Sequence, residues 1–461
     1  MTAVSKSFST SIVQTLRQRG FQAYLVGGCV RDLLLGREPK DYDVATSATP
    51  EQVMGIFPET YAVGVQFGVV LVPTPSSDER DNPEAVSSKS RAVEVATFRS
   101  DIGYSDGRHP DEVRFSGDPR EDVARRDFTI NGMLLDPLSA QISAQTPGEV
   151  LDFVGGRKDL DAGIIRTIGD PRQRFGEDKL RMLRAVRFAA RFEYAIDPAT
   201  FAAMQELAPQ IEVVSRERVR DELTRMLTEG QARRAFLLLD ESGLLRHVLP
   251  EISAMKGVEQ PAEFHPEGDV FAHTLLLLEN LPQPCPLTLA WGALLHDVGK
   301  PPTFRVAPDR IRFDGHVEVG VKMAEEICRR LRFSNHETEQ ILALVDNHMR
   351  FGHVSRMKES TLKKFLRMPG FDEHLALHRA DSLASHRNLS TYEFIQQKRA
   401  EIPVEKMRPV PLVTGDDLIA EGHVPGPKFR EILSAVEDAQ LEGRLNARDA
   451  ALEFVRREFP V

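Results

Sequence analysis

Gly27–Thr46 reads GGCVRDLLLGREPKDYDVAT. An apolar strand, Ala23–Val26, runs into the paired glycines, and Cys29–Leu35 reads as a short helix ended by Gly36. Paired glycines let backbone N–H groups approach a phosphate, and a helix N-terminus favours its negative charge. Arg31 would add a charge-assisted contact. The stretch closes on Asp41-Tyr42-Asp43, within an expected strand Tyr42–Ala45. Residues two apart on a strand point to one face, so the two carboxylates would converge. Hard oxygen ligands of this kind suit Mg²⁺, and two such ions can clamp the attacking and leaving oxygens of a phosphoryl transfer. Glu94, in the next expected strand Val93–Phe98, offers a third carboxylate. Asp-x-Asp alone describes a solvated strand face as well as a metal site. A glycine turn, a helix and paired carboxylates in order describe a nucleotidyltransferase phosphate site.

Working outward, Pro73–Ser90 (PTPSSDERDNPEAVSSKS) has the composition of a mobile insertion. From about Asp170 the apolar spacing turns helical almost to the end. Ten of the thirteen histidines lie between residues 265 and 386. Ile402–Pro411, with three prolines, reads as a linker to a helical tail. The 461 residues imply about three domains. With 41% hydrophobic and 28% charged residues the chain is neither disordered, collagen-like nor a disulfide mini-protein. Its formal charge of −10 argues against a protein coated in basic patches, though not against a local one. Three scattered cysteines fit a reducing compartment. No apolar run approaches the roughly 18–20 residues of a membrane span. The Ser-rich, basic N-terminus is read as the start of a folded segment, through Ile12, Leu16 and Phe21, which gives a cytoplasmic protein.

Five ordered motifs, GGCVRDLLLGREPKDYDVAT, VEVATFR, YSDGRHP, ARRDFTINGM and EDKLRMLRAVRFAARF, together resemble the class II tRNA nucleotidyltransferase and poly(A) polymerase family of the polymerase-beta-like superfamily. The resemblance spans roughly residues 20–250. It implies that Gly28 and Arg31 bind the nucleoside triphosphate, and that Asp41 and Asp43 hold catalytic Mg²⁺ with Glu94 as third ligand. Arg126, Asp127 and Asn131 would meet ribose and triphosphate. Asp178 and Arg181 would read the base, with Arg184 and Arg187 adding triphosphate or backbone contacts.

Base reading has its own physical logic. Asp178 and Arg181 are expected three apart on one helix, hence on one face. A carboxylate accepts from an amino group and a guanidinium donates to a ring nitrogen or carbonyl. Cytosine and adenine pair an amino donor with a ring-nitrogen acceptor, whereas uracil and guanine present the reverse. An ordinary helix ion pair would look the same in sequence. From Arg172 to Arg191 there are seven basic residues and two acids, a local +5 that would draw phosphate if it lined a cleft. Arg99–Pro110 (RSDIGYSDGRHP) resembles the flexible element of family members that add the terminal A. From Gly415 onward ten acids face six bases, unlike the basic extension of poly(A) polymerases.

Ala290–Pro301, AWGALLHDVGKP, places His296 beside Asp297, with His273 upstream and His316, His348 and Asp381 downstream. Adjacent His-Asp offers an imidazole and a carboxylate to a metal, and residues from other helices complete its shell. Roughly residues 265–386 resemble the HD superfamily of metal-dependent phosphohydrolases, with His316 and His348 matching its two-metal members. A divalent transition metal or Mg²⁺ is implied there.

The expected architecture is an α/β nucleotidyltransferase head (residues 1–150), an all-α neck and body (151–260), an HD domain (261–400) and a helical tail (401–461) that could touch tRNA. The expected partners are a tRNA 3′ end, CTP and ATP, with no membrane and no obligate protein partner. The expected activity is CCA addition, with a possible phosphohydrolase in the HD domain. A-only or poly(A) addition, or an RNA-end-binding protein whose working enzyme is the HD domain, are the alternatives.

Overall fold

A computed structural model describes residues 6–62, 67–74, 92–104, 110–139, 148–261, 263 and 265–461. The expected insertion falls almost wholly outside these residues, as does the centre of the Arg99–Pro110 element. The chain forms two compact units, Met1–Met226 with Arg234–Pro250, and Leu227–Arg233 with Glu251–Val461.

In the first unit, helix α1 (Lys6–Gln18) precedes strand β1 (Ala23–Val26), helix α2 (Gly28–Leu34), strand β2 (Asp43–Thr46), helix α3 (Pro50–Ile56) and strands β3 (Val69–Pro73) and β4 (Ala92–Thr97). A hairpin of β5 (Arg99–Ile102) and β6 (Glu112–Phe115) leads to helix α4 (Pro119–Ala124), then to β7 (Met133–Asp136) and β8 (Glu149–Asp152). Six strands form one mixed sheet in the order β3-β4-β2-β1-β7-β8. Its inner strands carry β-branched and small residues that are buried almost to completion, including Leu25, Val44, Ala45 and Val95. β2 runs parallel to β4, with Val44 opposite Val95. Gly27 caps α2 at φ +79°, a conformation side chains disfavour, and this lets the chain turn sharply from β1 into the helix.

Helix α5 (Gly156–Ala162), the paired strands β9 (Ile164–Ile165) and β10 (Ala195–Ile196), and helices α6 (Pro171–Glu177), α7 (Leu180–Phe192), α8 (Pro198–Leu207), α9 (Arg216–Thr228), α10 (Ala232–Glu241) and α11 (Leu245–Val248) build the neck and body. Asp170 caps α6 through a bond from the Gln173 amide, with Pro171 at the first helical position. α7 presents Leu180, Leu183, Val186 and Ala190 to the core at helical spacing, and Phe188 meets Phe128 edge-on at 5.8 Å.

After α12 (Pro250–Ser253), the second unit is helical: α13 (Val270–Glu279), α14 (Leu287–Leu295), α15 (Lys300–Thr303), a small hairpin of β11 (Arg305–Val306) and β12 (Ile311–Arg312), then α16 (His316–Arg330), α17 (Asn335–Asn347), α18 (Glu359–Leu366), α19 (Phe371–Ala384) and α20 (Ser390–Glu401). α14 is apolar all round and sits in the interior. The expected linker contains a helical turn, α21 (Val404–Met407), and is tied down by Arg367 Nη1 donating to the Met407 carbonyl at 3.2 Å. The tail helices α22 (Gly415–Ala420), α23 (Pro427–Leu441) and α24 (Arg448–Glu458) have their own apolar cluster around Ile432, Val436 and Val455. They also dock on α18, where the buried Lys363 ammonium donates to the Leu441 carbonyl at 2.6 Å.

Candidate active sites

Asp43 opens β2, and Asp41 lies two residues ahead of it, off the strand. The expected two-residue alternation therefore does not aim Asp41. Sheet register does the gathering instead: continuing the parallel β2–β4 pairing one step back from Val44 and Val95 sets Asp43 beside Glu94. Burial pushes the Asp43 carboxyl up to about 7, with the charges of Glu94 and Asp41 adding to the rise and Arg126 opposing it. Such crowding of oxygen donors fits a hard divalent cation, whose charge would relieve it. The three are spaced more widely than the second unit's donors: among the described residues, every trio of metal-binding atoms within 4.8 Å lies in that unit. A Cβ on Gly27 would come within 3.4 Å of Arg126 Nη1, so the glycine turn and Arg126 share one corner of the site.

Beneath it, the residues implied for the nucleotide form one connected chain. Arg31 Nη1 donates to Asn131 Oδ1 at 2.6 Å, and Asn131 Nδ2 donates to Asp127 Oδ1 at 3.2 Å. Arg184, on α7, closes on Asp127 Oδ2 at 2.6 Å. Burial opposes ionisation of Asp127, but Arg184 and the bonds from Asn131 and the Phe128 amide hold its carboxyl down at about 2. Arg31 is only 5% exposed, and its guanidinium lies 4.6 Å from the Phe192 ring. It is thus bound into the joint between α2 and α7, not standing free for a phosphate. Arg126 donates to Asp122 Oδ2 at 2.9 Å.

The base-reading pair needs a correction. Asp178 is extended, at φ −143°, between the end of α6 and the start of α7, so it does not share a helix face with Arg181. Its Oδ2 accepts from Arg218 of α9 at 2.8 Å and its Oδ1 from the Leu180 amide at 3.1 Å. Arg181 pairs with Glu177 at 2.7 Å and donates to the carbonyls of Arg174 and Arg125. The basic stripe is largely neutralised inside the fold: Arg181 by Glu177, Arg184 by Asp127 and Arg187 by Glu222 at 2.6 Å. Arg187 and Glu222 are each only 5% exposed. Arg187 therefore departs from the phosphate-contact expectation, and a count of charges along one helix could not reveal acids arriving from elsewhere.

In the second unit the structure brings the six expected residues together. His273, His296 and Asp381 form one trio of donors, and Asp297, His316 and His348 form another. They come from α13, the end of α14, the start of α16, the end of α17 and α19. Each imidazole is oriented by its Nδ1: His296 on the Ala293 carbonyl at 2.8 Å, His316 on Phe313 at 2.9 Å, His348 on Val345 at 2.6 Å, and His273 on the Glu267 carboxylate at 2.6 Å. Nδ1 carries the proton where it donates, leaving Nε2 as a ligand. All four Nε2 atoms are buried: that of His273 lies 3.1 Å from Asp381 and that of His296 3.0 Å from Asp297, while those of His316 and His348 have no hydrogen-bond partner. Four buried imidazole nitrogens turned toward two carboxylates are a donor set that fits divalent metal ions. Burial lowers the His348 imidazole to about 4, keeping it neutral. Burial also acts against protonation of His273, but Asp381 and Glu267 raise it to about 9, so a metal must displace a proton there. The Lys300 ammonium lies 2.7 Å from Asp297 Oδ2 and donates to Gln260 Oε1 at 2.7 Å. The cluster lines a cavity of about 460 Å³.

Sequence reading missed Arg218 and Glu222, four apart on α9, and Glu267, which also accepts from His265 at 2.9 Å. Glu267 lies six residues before His273, a spacing that carries no motif. Lys300 was legible, three residues beyond Asp297.

Three family models match: the poly A polymerase head domain over residues 23–166, the probable RNA and SrmB-binding site of polymerase A over 193–256, and the HD domain over 269–385. A CCA-adding enzyme of Geobacillus sp. (strain WCH70) is 30% identical over 437 residues, covering 94% of this chain and 92% of that one. The CCA-adding enzyme of Geobacillus stearothermophilus is 43% identical over 233 residues, and the match spans about half of that relative, 52%. The crystal structure of the Bacillus stearothermophilus CCA-adding enzyme in complex with CTP superposes with a TM-score of 0.72 at 28% identity, covering 98% of this chain and 99% of that one. A Thermotoga maritima CCA-adding enzyme complexed with tRNA shares the fold at 19% identity and a TM-score of 0.59.

Proposed function

The chain belongs to the family of CCA-adding enzymes, and from that premise we propose that it builds the CCA terminus of tRNA from CTP and ATP without a nucleic-acid template. The observation that supports this reading is the parallel strand pairing that sets Asp43 beside Glu94, with the Asp43 carboxyl raised by burial and by the charges of Glu94 and Asp41. The 3′-hydroxyl of the RNA attacks the α-phosphorus in line. A P–O bond to the new nucleotide forms, the bond to the β-phosphate breaks, and pyrophosphate leaves. Mg²⁺ held by the carboxylates would supply charge for the attacking and leaving oxygens. The amides of the glycine turn and Arg126 face the triphosphate, and Asn131 and Asp127 lie at the ribose side.

Asp178, fixed by Arg218, accepts from the base amino group, and Arg181, fixed by Glu177, donates to the ring acceptor. Held this way, the pair selects cytosine and adenine with little reorganisation. Arg187 is assigned to the fold, not to phosphate. We assign the enzyme to the cytoplasm, a reading that its three buried cysteines without disulfides support. No helix among the described residues is long and apolar enough to cross a membrane.

The deciding experiment incubates the protein and Mg²⁺ with tRNA lacking CCA, tRNA ending in C, tRNA ending in CC and an oligo(A) primer, each with CTP, ATP or both. Stepwise completion of CCA on the first three is expected. No incorporation on any primer overturns the reading, and extension of CC-ending tRNA alone reduces it to A addition.

The second unit supports a metal-dependent phosphohydrolase that clears phosphate, including a 2′,3′-cyclic phosphate, from a damaged RNA 3′ end. Its four imidazole donors favour a transition metal over Mg²⁺. Water adds to the phosphorus of the cyclic ester and one ribose oxygen leaves with a proton; a second water then hydrolyses the resulting phosphomonoester to a free ribose hydroxyl and inorganic phosphate. Hydrolysis of 2′,3′-cyclic nucleotides by wild type and its loss in Asp297→Ala are expected. Equal rates in the two proteins overturn it.

A further inference from the structure

The cavity beside the histidine cluster has a second wall. Arg310, Ile311, Arg312, Phe313 and Asp314, of and just beyond the β11–β12 hairpin, line it together with His296, Asp297, His316, His348 and Asp381. The hairpin is short, pairing Arg305 with Arg312 and Val306 with Ile311, and the Ala307 amide closes its turn on the Arg310 carbonyl at 3.0 Å. Its base is bolted to the cluster. The Phe313 carbonyl takes the Nδ1 of His316, the Phe304 and Phe313 rings meet at 6.0 Å, and the Lys300 ammonium, held by Asp297, lies 5.4 Å from the Phe313 ring. Side chains on this hairpin are thus positioned relative to the metal-binding donors, not left to a free loop.

The chemistry of the hairpin is that of phosphate and base recognition. From Arg305 to Asp314 it carries Arg305, Arg310 and Arg312 against Asp309 and Asp314, a net +1. Asp314 is engaged by Arg305 at 2.7 Å and Asp309 by Arg312 at 2.8 Å. Arg312 nevertheless keeps a buried Nε with no partner, a donor whose desolvation is uncompensated. Phe304 is 40% exposed and Val306 72% exposed, apolar surface beside the arginines. A guanidinium and an aromatic face side by side suit a phosphate with its nucleoside. The volume of about 460 Å³ falls in the range of small-molecule sites, about 300–1,000 Å³.

The cavity is thus lined both by the candidate metal donors and by two arginines, and a substrate with one phosphate can engage only one of these sets. We propose that the β11–β12 hairpin, through Arg310 and Arg312, is a specificity arm that binds the 5′-phosphate of the terminal nucleotide while its 2′,3′-phosphate lies at the histidine wall. The substrate is then an RNA end, or a nucleotide phosphorylated at both positions, in preference to a simple cyclic nucleotide. This rests on the phosphohydrolase reading of the same site.

The test compares kcat/KM for adenosine 2′,3′-cyclic phosphate, the same compound bearing a 5′-phosphate, and the dinucleotide ApA ending in a 2′,3′-cyclic phosphate. Wild type is expected to favour the latter two by about tenfold or more, the gain of one good charge-assisted contact. In Arg310→Gln and Arg312→Gln the ratio should fall toward one. Arg310 is exposed and has a surface position, so its variant keeps the test valid if Arg312→Gln unfolds the hairpin. Equal rates on all three substrates in wild type, or a preference that survives both substitutions, overturn the arm while leaving the phosphohydrolase in place. Hydrolysis of none of the three removes the phosphohydrolase reading itself.

Discussion

At the scale of single residues, ionisation ties the two sites to their metals. With Asp43 raised to about 7, protons compete with the cation below that pH. The Mg²⁺ concentration that half-saturates nucleotide incorporation should therefore rise by up to about tenfold per pH unit below 7 and level off above it. Glu94→Gln removes a charge that holds Asp43 up, so the bend in that profile should move to lower pH, as Mg²⁺ titrations of incorporation across the range would read. In the second site, Glu267 orients His273 by accepting from its Nδ1, the ring nitrogen away from Asp381. Glu267→Gln should weaken Mn²⁺ binding by about 10–100-fold in calorimetry, with little change in melting temperature of the metal-free protein. Aspartates 41 and 43 and the adjacent His296-Asp297 were legible as local patterns, whereas His273, His316, His348 and Asp381 came from the resemblance to the HD superfamily. Glu267 was not, because a carboxylate that orients a ligand can arrive from any distance.

Individual elements explain where the reading of neck residues went astray. α6 and α7 look continuous in their apolar spacing, yet the chain breaks at Asp178, which ends α6 and whose Oδ1 accepts from the amide of Leu180, the first residue of α7. An aspartate competes with the backbone for hydrogen bonds, which is why such a break can hide within a helical pattern. α7 packs a basic face against acids from α9 and from the segment after α4, so its charge is spent on assembly. The Arg187–Glu222 pair is buried on both sides. Removing one partner leaves an uncompensated charge, so Glu222→Gln should cost about 3–5 kcal/mol in urea unfolding, whereas exposed pairs such as Arg157–Asp161 should cost under about 1 kcal/mol. The hairpin of β11 and β12 escaped sequence reading for another reason: strands of two residues leave no periodicity to detect.

Across the whole molecule, the two candidate sites lie in different compact units. Asp297→Ala should abolish hydrolysis of cyclic phosphates while CTP and ATP incorporation stays within about twofold of wild type, measured on one preparation. A larger loss of incorporation would mean that the units are coupled. Sequence alone determined the order of the parts and, through the family resemblances, named the glycine turn, its carboxylates and six candidate metal ligands, because ordered motifs are written in residues close together. It also made plain that a formal charge of −10 is an average over sites of opposite need. Only tertiary structure decided which charges remain available to a ligand. Glu94 joins Asp43 through parallel strand pairing, Arg187 is withdrawn by Glu222, Asp178 is aimed by Arg218, and two arginines reach the histidine cavity on a hairpin. Each of these depends on side chains far apart in sequence meeting at low dielectric, where pairing and desolvation outweigh local preference.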